Sequence, residues 1–131
     1  MTAKMTIGPA GAAFALALAA AAPAAAHHSG SQYDSAKEVD LKGRIQSFSW
    51  VNPHSRFLVV VDPGQPDAGK TWMVETTATG RLERDGWTRH SLNPGDHVLV
   101  RVRPDKDGAL MGNLFEVSNL DTGVLIGKLD R

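Results

Sequence analysis

Cysteine is absent from this chain of 131 residues. No disulfide can staple it, so its stability rests on packing alone. Thiolate ligands are missing too, which leaves His, Asp and Glu as the expected metal donors. Surplus charge of either sign is also lacking, with 14 basic residues against 14 acidic ones. Without a basic excess there is little to drive phosphate binding, and nucleic acid is not an expected partner. The chain has no phosphate loop, no nucleophile elbow and no cysteine nucleophile. Ser29 and Ser55 lie near histidines in sequence, but nothing in the pattern assembles a base, an orienting group and oxyanion donors. No enzyme activity is expected. There is no internal repeat and no sign of a second domain.

What is present begins with an export leader. Lys4 supplies a sparse basic start, an apolar stretch runs from Ala12 to Ala22, and small residues close the segment at Ala24-Ala25-Ala26. The uncharged stretch from Met5 to Ala26 is long enough to span a bilayer. It is mostly Ala, however, and interrupted by Gly8, Pro9, Gly11 and Pro23, which makes it weakly apolar for a permanent anchor. The reading is a signal peptide over 1–26, removed on export to leave a periplasmic or secreted protein that is not integral to the membrane. The 105 residues that remain of 131 suffice for one small domain with one core.

Cleavage after Ala26 places His27 at the new N-terminus, with His28 next to it. A free amine and two imidazoles then lie together. A cut one residue earlier leaves Ala-His-His, which offers an amine, backbone amides and an imidazole. Both products favour a tetragonal, nitrogen-rich ion such as Cu(II).

From His27 to Lys37 the chain is polar, small and without periodicity, and it reads as a flexible N-terminal arm over 27–37. Residues 38–131 then read as strands. Val39, Leu41, Gly43 and Ile45 alternate with polar residues until the pattern slips near Ser47. Such a slip predicts a bulge. Arg56 to Val61 and Thr71 to Thr76 form a hairpin around a Gly- and Pro-rich turn centred near Gln65. A short helix follows, capped by Thr77 or Thr79 and ended by Gly86. His97 to Arg103 and Ala109 to Ser118 supply two more strands, and Val124 to Leu129 a short strand or tail. Five short strands with one helix between the third and fourth predict an all-β fold with one short helix, an OB-like five-stranded Greek-key barrel.

Two constellations stand out. One is His27-His28. The other is the block Trp50-Val51-Asn52-Pro53-His54-Ser55 between the first two strands. The hairpin register sets Arg56 across from about Glu75 and His54 across from about Thr77, so His54 and Glu75 are expected to be close. The expected site is Cu(II) or Zn(II) held by His27, His28 and His54, with Glu75, Trp50 and Asn52 as supporting or pocket residues. The competing expectation is a metal-free structural or protein-interaction module of the cell envelope, with an envelope protein as partner. His90 and His97 read as surface histidines.

The residues also carry a resemblance. A leader ending before His27-His28-Ser29, then Gly43-x-Ile45-x-x-Phe48-x-Trp50-x-Asn52-Pro53-His54-Ser55, is similar to a family of small exported bacterial proteins known only as a domain of unknown function. Trp72-x-x-Glu75, Gly86-Trp87, Pro94-Gly95-Asp96-x-Val98 and Lys106-Asp107-Gly108 extend the match across nearly the whole remaining chain. The resemblance implies a single exported domain and supplies no function.

Overall fold

The computed structural model describes Thr2 and residues 29–129; the leader expected over 1–26 and the candidate ligands His27 and His28 lie outside the described residues. Along the chain the elements are α1 (Ser29–Gln32), β1 (Val39–Ser49), β2 (Arg56–Val61), β3 (Thr71–Glu75), α2 (Thr79–Arg84), β4 (His97–Pro104), β5 (Met111–Asn119) and β6 (Leu125–Lys128).

Two-residue alternation makes the strands, because each has one face in the core and one outside. In β4, Val98, Val100 and Val102 are fully buried while the residues between them are half-buried. In β1 the alternation breaks where the pairing with β2 shifts between Ile45 and Ser47, at the slip expected from the sequence. β2 and β3 form the expected hairpin, with Arg56 opposite Glu75 and Phe57 opposite Val74.

Strand order turns these ribbons into a barrel. β1 pairs antiparallel with β2 on one side and with β4 on the other, and β4 pairs antiparallel with β5. The first residues of β5 then pair with β3 in parallel, Met73 with Met111, Val74 with Gly112 and Glu75 with Asn113. The ring β1-β2-β3-β5-β4 is thereby closed, with α2 between β3 and β4 in the chain. This is the five-stranded OB-type arrangement. β6 is an additional strand that pairs with the second half of β5, Glu116 with Lys128.

The barrel interior is filled by Phe57, Val59, Val74, Val98, Val100, Val102, Leu114 and Val117, and α2 adds Leu82 to the same core. Each such side chain contributes roughly 1.5–3 kcal/mol by leaving water. Gly127 of β6 lies flush against the Trp87 indole, where an added Cβ would meet ring atoms at 2.2 Å.

Two local expectations are revised. Neither Thr77 nor Thr79 caps α2. The residue before the helix is Ala78, which offers no side-chain cap. Asn52, 27 positions away, accepts instead, its Oδ1 taking the Thr79 N–H at 3.0 Å and the Thr79 hydroxyl at 3.1 Å. The helix ends as expected at Gly86, whose φ is 86°. The Gly86 N–H donates to Glu83 and the Trp87 N–H to Leu82, which satisfies the last turn's carbonyls. The second revision concerns the segment expected to be a flexible arm over 27–37. Over 29–37 it is seated on the barrel. Tyr33 is 3% exposed and forms an isolated bridge with Asp105. The Asp34 N–H donates to the Pro104 carbonyl, and Lys106 Nζ to the Ser31 carbonyl. One buried aromatic side chain in a polar segment provides the anchor that periodicity does not reveal.

Candidate functional site

The loop between β1 and β2 is built by Ser55. Its side chain is fully buried, and its hydroxyl donates to the Val51 carbonyl at 3.1 Å while accepting the Val51 N–H at 3.2 Å. The loop is thus pulled closed around the cis Asn52-Pro53 bond. The Ser55 N–H donates to Thr77, and the Ser55 carbonyl accepts from both the N–H and the hydroxyl of Thr76. These bonds extend the β2–β3 hairpin beyond its strands and hold His54 beside the end of β3.

His54 Nδ1 lies 3.2 Å from Glu75 Oε1, in ion-pair range. That oxygen is shut off from solvent and has no hydrogen bond in line with it. The other oxygen, Oε2, accepts a long hydrogen bond of 3.4 Å from the Tyr33 hydroxyl. Below it, Asn113 Nδ2 donates to the Glu75 carbonyl at 3.4 Å. The expected pairing of His54 with Glu75 is therefore present, and Tyr33 joins it from the N-terminal segment. Sequence reasoning missed Tyr33. Its signal was that it is the only tyrosine of the chain and sits alone among small polar residues.

Asp105 organises the neighbouring loop. Its carboxylate accepts from Gln32 Nε2 at 3.0 Å and from the N–H groups of Asp107 and Ala109 at 3.0 and 3.1 Å. The Gln32 amide, followed by the Ala109 N–H, holds its carboxyl below the usual carboxylate range. Trp50 packs edge-on against Phe48, with centroids 5.8 Å apart. Phe48 in turn meets Phe57 and Trp87. Trp50 thus belongs to an aromatic cluster at the rim of the core. Asn52 is occupied by α2. Among the described residues no three His, Asp or Glu side chains converge in a way that could hold a metal ion.

His97 differs from the surface histidine expected. Its Nε2 lies 2.6 Å from Asp62 Oδ2 and its Nδ1 3.0 Å from Asp121 Oδ1. The ring therefore ties the β2–β3 turn and the β5–β6 turn to the start of β4. Hydrogen bonding to Asp62, then to Asp121, raises its pKa above the ordinary histidine value. The two carboxylates approach opposite ring nitrogens, which suits an imidazolium clamp and not a shared metal. Only the strand order brings these two turns to the start of β4.

With this geometry in place, comparison with known proteins gives one family. A family of unknown function, DUF6152, matches over residues 15–114. The chain belongs to that family. No curated protein matches it. Among solved structures, the family member is similar to the mitochondrial single-stranded DNA binding protein Rim1 of S. cerevisiae, at 14% identity and a TM-score of 0.47. That match covers 64% of this chain and 93% of the other. The barrel assignment rests on the strand pairings themselves. No helix among the described residues is long and apolar enough to cross a membrane.

Proposed function

We propose that this protein is an exported β-barrel binding module that takes Cu(II) or Zn(II) at the His54–Glu75 corner, with His27 and His28 of the processed N-terminus as the remaining ligands. On this reading it binds and does not catalyse. The observation that carries the proposal is the shared carboxylate. His54 approaches one oxygen of Glu75 while Tyr33, five residues after His28, donates to the other. The His27 amine lies six residues before Tyr33, a reach of at most about 22 Å. That reach supports the reading that the freed N-terminal amine arrives at the same corner as His54. Glu75 at Nδ1 is the kind of partner that fixes a ligating imidazole's tautomer and orientation, and it leaves Nε2 as the ligating nitrogen. Imidazole suits both metals, and an amine-rich tetragonal set selects copper.

The test is competitive Cu(II) and Zn(II) titration of the processed protein beginning at His27. It is compared with a form carrying a four-residue extension before His27, and with His54→Ala. At least tenfold weaker Cu(II) binding in both is expected. Unchanged affinity in both would reject the site. A second reading, a metal-free interaction module for an envelope protein, draws support from Val124 and Leu125, which are 60% and 54% exposed where β6 begins. That reading gains if the processed protein takes up no metal against a competitor.

A further inference from the structure

Beyond residues 1–26 the chain has only two methionines, Met73 and Met111. The barrel closure makes them direct partners in the parallel pairing of β3 with β5. Neighbouring strands lie about 4.8 Å apart, and parallel partners project to the same face. That face is the outer one. Trp72 and Val74 on either side of Met73 are buried in the core, and Gly112 after Met111 backs onto the core residue Val102. Both methionines are half-buried.

The sulfur of Met111 faces the Gln32 amide. Gln32 Nε2 donates to Met111 Sδ at 3.4 Å, from the segment that lies across the barrel closure. The Met111 thioether thus lies where the N-terminal segment meets the barrel, and an incoming ion would displace the Gln32 amide from it. Two residues further along β3, on the same face, stands Glu75 with His54 and Tyr33. Leu58 is the partner of Met73 on its other side.

Thioethers are soft donors and select Cu(I) over Cu(II) or Zn(II). We propose that Met73 and Met111 form a two-thioether site for a soft monovalent ion, Cu(I) or Ag(I), on the outer face of the β3–β5 closure. The absence of cysteine then does not leave the protein without soft ligands. The inference shares with the proposed function only the identity of the metal. It uses different ligands and a different oxidation state, so either can fail while the other stands.

The experiment uses Ag(I), which does not change oxidation state, on the protein as isolated from the producing cells. The methyl resonances of isotopically labelled methionine are followed by NMR, with Met73→Leu and Met111→Leu supplying the assignments. The expected result is a saturable shift of both methyl signals, complete at one equivalent. Each single variant should bind at least tenfold more weakly, and a competition titration with Cu(I) under reducing conditions should show the same order. Leucine conserves volume closely enough for the fold to persist, and unchanged Cu(II) uptake by the variants separates this site from the amine and imidazole ligands. Three results would overturn the proposal: no response of the methyl signals, a response that never saturates, or a response at one methionine alone. Because the unmodified protein gives the primary readout, misfolding of a variant would not rescue the idea.

Discussion

Asn52→Ala offers the most direct measure of how the Asn-Pro-His loop is used. The Asn52 amide oxygen receives the first N–H of α2 at 3.0 Å and the Thr79 hydroxyl at 3.1 Å. No side chain at Ala78 replaces it. Loss of a helix cap costs about 0.5–2 kcal/mol, and typically about 1. Both bonds here are exposed, so water recovers part of the loss. The helix has only six residues, however, and carries the fully buried Leu82. Its first turn cannot fray without disturbing the core. About 1 kcal/mol is therefore expected, equivalent to a fall in Tm of about 4–8 °C for a domain of this size. Asn52→Asp keeps the acceptor and adds a negative charge at the helix N-terminus, so it should match or exceed the parent protein. The assay is urea unfolding followed by tryptophan fluorescence, with far-UV circular dichroism alongside. If Asn52→Ala lies within about 0.3 kcal/mol of the parent, or Asn52→Asp falls as far as Asn52→Ala, the cap is not what Asn52 contributes.

Three other outcomes follow from the same structure. The folded-state pKa of His97 is raised, first by Asp62 and then by Asp121. Its stabilisation should be complete below the unfolded histidine value of about 6.5 and disappear as pH rises through the folded value. His97→Gln should flatten the stability profile across that window, and superimposable profiles for the two proteins would contradict the clamp. Gly127→Ala would drive a Cβ into the Trp87 indole, with ring atoms at 2.2–2.4 Å. Because Trp87 is buried, an overpacking loss of about 1–3 kcal/mol is expected by denaturant unfolding, and an unchanged midpoint would contradict it. Tyr33→Ala should lower stability by about 3 kcal/mol or more and open the 29–37 segment to protease. Tyr33→Phe removes the long bond to Glu75 and keeps the ring, so equal cleavage rates for the two variants would show that the ring is not the anchor.

The strands and their inward faces were legible because a half-buried strand writes its geometry into alternation. Val98, Val100 and Val102 are the plainest case. The β2–β3 register was legible because one turn cluster fixes the centre of a hairpin, which brought Glu75 opposite Arg56 and so beside His54. Contacts made by single side chains across the fold were not. Nothing local marks Asn52 as the cap of a helix 27 positions later. Tyr33 belongs to no period, so its burial appears only once the β4–β5 loop is built beneath it. His97 opens a strand as a polar residue in an ordinary position, and its two carboxylates arrive from turns distant in sequence.

The Asn-Pro-His block therefore divides its work by direction. Asn52 points to α2, and the Ser55 hydroxyl turns back to close its own loop. Both are consumed by architecture. His54 lies between them, is partly exposed, and meets a carboxylate that has one oxygen without a hydrogen bond. The His54 ring is about a third exposed, while the Glu75 oxygen it faces is shut off from solvent. The carboxylate also receives Tyr33, so the N-terminal segment and the loop histidine meet at one side chain, each at a different oxygen. On the proposed function, this shared carboxylate is what makes the corner a ligand site. If Glu75→Gln leaves both the Tyr33 anchor and the metal response of the protein unaltered, the carboxylate links nothing, and His54 is an ordinary loop residue.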